Sequence, residues 1–269
     1  THSTQLKKLI KPGSRVCVGL SGGLDSVVLL DLLSRTQLID LFELFAIHVN
    51  HQLSPNAAIW AQFCVELCAQ KNIPLHIETV SIARNSGLGI EAAARNARHA
   101  VFEKQKAEVI ALAHHADDQA ETLLLQLLRG AGVKGAAAMP LLSESKPAIV
   151  RPLLNATRTE LEHYAAQRGL KWITDESNAD IRYDRNYVRH EVMPQIEKRF
   201  PAYRATLGRA ACESHISGRP HSRRHEDGAA VVAVRRAVAG SAPDPVHLRR
   251  RDRQAAPLTG VAQQARRAH

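Results

Sequence analysis

From Arg15 to about Arg129, short apolar runs alternate with longer stretches whose apolar positions recur at helical spacing. Val16-Cys17-Val18-Gly19-Leu20 stops at a glycine-rich turn, the pattern of a buried parallel strand. Ser26 to Leu33 follows with Val27, Leu29, Leu30, Leu32 and Leu33 as a helical stripe. Phe45 to Val49 predicts a second strand, and a helix starts at about Pro55, where proline suits the first turn. Leu75 to Val80 and Glu91 to Lys106 predict a third strand and helix. Val109 to Ala113 and Asp117 to Leu128 predict a fourth pair. This repetition predicts an α/β fold, a doubly wound parallel sheet with helices on both faces. Ligands bind such sheets beyond the carboxyl ends of the strands.

After Gly130 the pattern changes. Gly130 to Pro147 is rich in Gly, Ala, Ser and Pro and reads as a connection, and Val150 to Leu154 predicts an edge strand. Thr157-Arg158-Thr159-Glu160 has the form of a capping box, opening a helix that runs to Arg168 and stops at Gly169. Asn186 to Phe200 predicts a further helix, so a small helical extension follows the sheet.

Composition alters the picture mainly at the C-terminal end. The 269 residues hold 36 Lys+Arg against 26 Asp+Glu, a net +10 that suggests an acidic partner such as nucleic acid. Residues 213–269 alone carry 11 Arg, no Lys and 5 acids, so +6 of that charge sits in the last fifth of the chain. Every aromatic residue lies at or before Tyr203, and Leu, Ile, Val and Phe make only 9 of the final 57 residues. A segment so poor in core formers is expected to be a disordered tail. Its Arg- and Ala-rich composition is also what translation in a shifted reading frame produces. Four cysteines do not suggest a disulfide scaffold, and no apolar run approaches 18 residues. With no charged-then-apolar leader, a cytoplasmic protein without membrane attachment is expected.

Two loops carry candidate chemistry. Ser21-Gly22-Gly23-Leu24-Asp25-Ser26 joins the first strand to its helix. Glycines let a backbone approach phosphate closely, and the helix start offers unpaired N–H groups and a positive dipole end. Asp25 would repel phosphate unless a cation such as Mg²⁺ bridges the two. No Lys follows the glycines, so this is not a Walker A loop, and G-x-G-x-x-G spacing is absent. The second cluster, His114-His115-Ala116-Asp117-Asp118-Gln119-Ala120-Glu121-Thr122, follows the fourth strand at the same sheet edge. Asp118 and Glu121 share one helix face, and such a pair suits a metal or an ammonium group.

VGLSGGLDSVVLL resembles the pyrophosphatase loop of the N-type ATP pyrophosphatases, and the fold it implies is of the adenine nucleotide alpha-hydrolase type. HH-x-D-D-x-x-ET followed by LL-x-LLRG-x-G is similar to the tRNA(Ile)-lysidine synthetases within that superfamily. His48-Val49-Asn50-His51, the Glu91 to Arg98 helix, Arg151-Pro152-Leu153-Leu154, Asp175-Glu176-Ser177-Asn178 and Arg185-Asn186-Tyr187-Val188-Arg189 match the same family in order and spacing. The match covers residues 15 to 205. It implies a PP-loop ATP-binding domain over residues 1–150, the rest of the catalytic region over 151–212, and the atypical tail from 213.

The resemblance further implies that ATP adenylates the C2 oxygen of the wobble cytidine of an isoleucine tRNA with a CAU anticodon. The side-chain amine of free L-lysine then displaces AMP and forms lysidine. Ser21, Gly22, Gly23, Leu24, Asp25 and Ser26 would hold ATP, with Asp25 as the Mg²⁺ ligand, and His48 and Arg95 would face the nucleotide. Asp118 and Glu121 would grip lysine, and His115 or Asp118 would take the amine's proton. Arg185 and Arg189 would approach the active site or the tRNA. Two other readings stay open: adenylation of a small molecule without RNA, and a non-enzymatic basic RNA-binding protein. Cys64 and Cys68 are i,i+4 on a helix and read as core cysteines rather than iron–sulfur ligands. Retranslating the coding DNA in the other two frames downstream of about codon 212 is expected to reveal a periodic, aromatic-containing continuation; if neither frame contains one, the tail is genuine.

Overall fold

The computed structural model describes residues 10–40, 42–82 and 89–217. Its sheet is built from β1 (Arg15–Gly19), β2 (Glu43–Asn50), β3 (Leu75–Thr79), β4 (Val109–Ala111), β5 (Leu142–Ser143) and β6 (Ala148–Val150). The strand order is β3-β2-β1-β4-β6-β5, parallel except for β5 against β6. Helices α1 (Leu24–Asp40), α2 (Ala57–Gln70), α3 (Ile90–Glu103) and α4 (Ala116–Leu128) follow the first four strands in turn. The four expected strand–helix units are therefore present. Succession turns one way from β1 to β2 and the other way from β1 to β4, so a crevice opens between the loops that leave β1 and β4.

Strand alternation sends Val16 and Val18 to one face and Cys17 to the other. The first face packs against Val28 and Leu29 of α1 and Cys64 and Cys68 of α2, with Leu161, Tyr164 and Ala165 of α6 (Arg158–Gln167). The second face is covered by Val101 and Phe102 of α3. The first half of helix α1 is buried nearly all round, with Val27, Val28, Leu29 and Leu30 fully enclosed. Cys17, Cys64 and Cys68 are buried in these cores, and burial pushes their thiols up to about 12, 12 and 11. They pack as small apolar side chains.

Three expectations are corrected. Val150 to Leu154 is not an edge strand: only Val150 belongs to β6, which lies inside the sheet between β4 and β5. The chain turns at Arg151 because Pro152 has no N–H to continue a ladder. The Gly130 to Pro147 connection holds the short helix α5 (Val133–Ala136) and β5, elements too brief to leave a period in the sequence. The Asn186 to Phe200 helix is three segments in line, α7 (Asp184–Tyr187), a π-helical turn (Val188–Val192) and α8 (Met193–Arg199). A further helix, α9 (Tyr203–Ser217), runs past the point where the atypical composition begins. The remainder of that tail, 218–269, lies outside the described residues. Helix α4 leaves the sheet to pack on this extension through Ala120, Val188, Met193 and Tyr203. No helix among the described residues is long and apolar enough to cross a membrane.

Helix α6 forms as the sequence predicts. Thr157 caps Glu160 N–H, and the Glu160 carboxylate accepts from Thr157 N–H at 2.7 Å. Its far end is pinned by Asp31 of α1, which is 1 % exposed. Asp31 accepts from Lys71 Nζ at 2.6 Å and from Tyr164 Oη at 2.8 Å, and Arg168 Nε stands 3.5 Å away. Burial alone would raise this carboxyl, but Lys71, Tyr164 and Arg168 together hold it below its ordinary value of 3.8. Its stabilisation is thus complete above 3.8 and is lost as pH falls through the native value. Asp31→Ala is expected to destabilise the domain by about 2–3 kcal/mol in urea unfolding at pH 7. The difference from wild type should shrink in acid, and a difference that stays constant down to pH 3 would contradict this assignment.

Candidate active site

The loop from β1 to α1 is held by one hydroxyl. Ser26 Oγ accepts from the N–H groups of Ser21 and Gly22 at 3.2 Å each and donates to Gly23 O at 2.9 Å. Ser21 Oγ lies 3.1 Å from Ser26 Oγ and accepts from Gly23 N–H at 3.3 Å. Gly22 has φ +88, and a Cβ there would meet Ile173 Cδ1 at 3.0 Å and Cys64 Sγ at 3.3 Å. Only glycine fits both the conformation and the space. At Gly19 the close approach is to the fourth unit, since a Cβ would stand 2.9 Å from Leu112 Cδ2. Helical bonding begins with Val27 N–H to Gly23 O, so the first-turn N–H groups of Leu24, Asp25 and Ser26 lack an intrahelical acceptor. That is a phosphate-binding geometry.

His48, expected to face the nucleotide, is 4 % exposed and supports the loop from beneath. Its Nδ1 lies 2.9 Å from Leu20 O and 3.5 Å from Cys64 Sγ, and burial holds its pKa below the usual histidine value. Arg95 is exposed on α3, close enough to His99 and Arg151 to disfavour extra positive charge on both. The structure does not bring it into an ion pair with the Ser21–Ser26 loop.

Asp25 leads directly into the second cluster. Arg158 Nη1, on the first residue of α6, lies 3.1 Å from both Asp25 oxygens, and His115 Nε2 lies 3.7 Å from one of them. Burial raises the Asp25 carboxyl, His115 and Arg158 pull it back, and Asp118 pushes it up again, so that it stays above the ordinary range. His115 is the residue before α4 and has extended backbone. Its N–H donates to Asp118 Oδ2 at 3.0 Å, while Nδ1 stands 3.4 Å from Asp117 and Nε2 3.4 Å from Asp118. Burial disfavours a charged imidazole, yet three carboxylates around this ring outweigh it and raise its pKa above 6.5. The adjacent His114 goes the other way. Buried and accepting from Arg151 Nε at 3.2 Å, it is pushed down to about 3 and is neutral.

Asp118 and Glu121 meet the extension. Arg185 donates to Glu121 at 3.0 Å and to Asp118 at 2.9 Å. Arg189 donates to Glu121 at 2.7 and 2.9 Å and to Asp118 at 3.2 Å. His115 and then Arg185 hold the Asp118 carboxyl below the ordinary carboxylate range despite its burial. Arg185 and Arg189, expected at the active site or the tRNA, thus each contact both Asp118 and Glu121. Sequence reasoning missed two contributors, Arg158 and Arg204, and gave Asp117 no role of its own. Arg158 appeared only as a capping-box interior residue. Asp117 accepts from Arg158 N–H at 2.9 Å and pairs with Arg204 of α9. Arg204 also pairs with Glu197 at 2.6 Å. No periodic signal marks such long-range partners.

Mg²⁺ takes octahedral oxygen donors, commonly one or two carboxylates with phosphate oxygens and water. Asp25, partly open beside a phosphate-binding helix start, fits that donor set as its single protein carboxylate. Among the described residues no group of three or more His, Cys, Asp or Glu has metal-binding geometry, so the remaining ligands would come from nucleotide and solvent.

Residues 1–196 match the PP-loop domain family. The chain is 46 % identical over 220 residues to a tRNA(Ile)-lysidine synthase from Nitrosomonas europaea, covering 80 % of this chain and 48 % of the relative. It is 52 % identical over 198 residues to one from Chromobacterium violaceum, covering 72 % and 45 %. The chain therefore spans about half the length of the curated relatives it matches. Among solved structures it resembles the U34-tRNA thiolase NcsA from Methanococcus maripaludis, with a TM-score of 0.65 at 20 % identity over 82 % of this chain and 80 % of that one, a likeness of fold.

A His115 imidazole raised above 6.5 contributes stability that is fully present below that pH and is lost as pH climbs through the native value. NMR titration of its ring protons is expected to give a midpoint above 6.5, and Asp25→Asn should lower it. A wild-type midpoint under 6.5 would mean that burial, not the carboxylates, governs this ring.

Proposed function

We propose, from the premise that the chain belongs to the PP-loop domain family, that it joins L-lysine to the wobble cytidine of an isoleucine tRNA with a CAU anticodon, consuming ATP. Its relatives named tRNA(Ile)-lysidine synthase, 46–52 % identical, support the reaction class. One observation carries the assignment to this site. Asp118, Glu121, Arg185 and Arg189, separated by up to 71 residues, close on one another within 3.2 Å beside the Asp25 loop.

In the first step the cytidine C2 oxygen attacks the α-phosphorus of ATP and pyrophosphate leaves. The unpaired N–H groups of Leu24, Asp25 and Ser26 and the positive end of α1 stabilise the charge developing on the departing oxygens. Bound at Asp25, Mg²⁺ supplies charge neutralisation to the phosphates. In the second step the lysine amine attacks C2 and AMP leaves with its oxygen. Asp118 and Glu121 suit the lysine ammonium, and Arg185 and Arg189 fix their orientation. The amine must lose a proton to attack. His115 Nε2 and Asp118, 3.4 Å apart at this site, are the two groups placed to accept it. The cytoplasm, where tRNA, lysine and ATP coexist, is the proposed compartment.

The test is pyrophosphate release with lysine and isoleucine tRNA, each omitted in turn. Release is expected only when tRNA is present, and Asp25→Ala should reduce it by at least about a hundredfold while leaving RNA binding nearly unchanged. Release without tRNA on some other acceptor would favour the small-molecule reading. RNA binding with no turnover in the wild-type chain would favour a non-enzymatic binder.

A further inference from the structure

The pairing of Asp25 with Arg158 has features of an exchangeable contact. A single nitrogen, Nη1, straddles both carboxylate oxygens at 3.1 Å, the position that a cation chelated by both oxygens would take. The pair lies at the open mouth of the loop, with the Arg158 side chain 42 % and the Asp25 side chain 27 % exposed. Arg158 also has a second anchor. Its Nε donates to Glu162 Oε1 at 3.0 Å, one helical turn along α6 and exposed. Its backbone is fixed independently, because Arg158 N–H donates to Asp117 Oδ2 at 2.9 Å. The guanidinium can therefore leave Asp25 while helix α6 stays where it is.

Without Arg158, Asp25 keeps only weaker positive neighbours among the described residues: His115 Nε2 is 3.7 Å away and shared with Asp118, and Arg189 acts from farther off, while Asp118 repels it. A divalent ion approaching the face that the straddling guanidinium covers would meet like charge, so close approach there displaces Arg158.

We propose that Arg158 is an exchangeable counter-ion of Asp25: it holds the carboxylate in the metal-free protein and yields it to a divalent cation, withdrawing toward Glu162 and the phosphates that arrive with the metal. This rests on the reading of Asp25 as the metal-holding carboxylate and makes Arg158 a positioning residue for metal and pyrophosphate. The partly exposed pair is of the kind worth about 1 kcal/mol, equivalent to about a fivefold change in a binding constant.

The experiment is Mn²⁺ binding to the full chain followed by electron paramagnetic resonance, without tRNA or lysine, so that it is independent of whether lysidine is made. Without nucleotide, Arg158→Ala is expected to bind Mn²⁺ about fivefold tighter than wild type, Arg158→Lys close to wild type, and Asp25→Asn much more weakly. With pyrophosphate added, the order should reverse, wild type holding Mn²⁺ tighter than Arg158→Ala. Glu162→Ala, which removes the alternative anchor and leaves helix α6 capped, should weaken Mn²⁺ binding. Equal Mn²⁺ affinity in wild type, Arg158→Ala and Glu162→Ala would overturn the proposal. So would tighter binding in Arg158→Ala that survives addition of Asp25→Asn, since the metal would then sit elsewhere.

Discussion

Mutual neutralisation of buried charge across one boundary determines how this molecule is assembled. The carboxyl edge of the sheet presents Asp25, Asp117, Asp118 and Glu121 in close proximity, and the sheet's own elements supply only His115 against them. Arg158, Arg185, Arg189 and Arg204 all come from later segments. Uncompensated, these carboxylates would carry a desolvation cost that ion pairing removes. The apolar contact between α4 and the extension is small, resting on Ala120, Val188, Met193 and Tyr203 with a few partly buried neighbours. Docking of the extension is therefore specified by charge as much as by apolar burial. The π-helical turn at Val188–Val192 lies within this contact, carrying Arg189 itself and following α7, which carries Arg185.

The same boundary separates what was legible in the sequence from what was not. Strands β1 to β4 and their helices could be read because each is a local pattern, an apolar run ended by glycine or a stripe of period 3.6. The capping box at Thr157 and Glu160 is likewise local and opened α6 where expected. Strands β5 and β6 have two and three residues, too few to express a period, and the apolar character of Val150-Arg151-Pro152-Leu153-Leu154 reflects burial of a turn. Arg185 and Arg189 were placed near the site by motif order, whereas Arg158 and Arg204 were not, because their partners lie 133 and 87 residues away. Pairings at such separations leave no trace in periodicity. His48 shows the opposite failure: the strand-end position was right, but burial under the loop makes its visible role support.

That support explains why the loop tolerates so little change. Gly22 rests on Cys64 and Ile173, Cys64 lies against His48, and His48 meets the Leu20 carbonyl one residue before Ser21. Ser26 closes the circuit by bonding both Ser21 and Gly22. The phosphate-facing N–H groups are consequently oriented by a layer of side chains belonging to β2 and α2. A change in that layer would act on the loop without touching a ligand.

The formal net charge of +10 gives a misleading impression of this site. Counting the direct partners, Asp25, Asp117, Asp118, Glu121, Glu162 and Glu197 face four arginines and the His115 ring. Six acids against four arginines and one histidine leave no surplus of positive charge among these partners to attract a polyphosphate. An anionic nucleotide held here would depend on oriented dipoles, on an arginine such as Arg158 released from its carboxylate, and on cations that arrive with it. A carboxylate at the centre of a phosphate-binding loop then ceases to be paradoxical. Under the proposed reading it favours a metal–nucleotide pair over a bare anion.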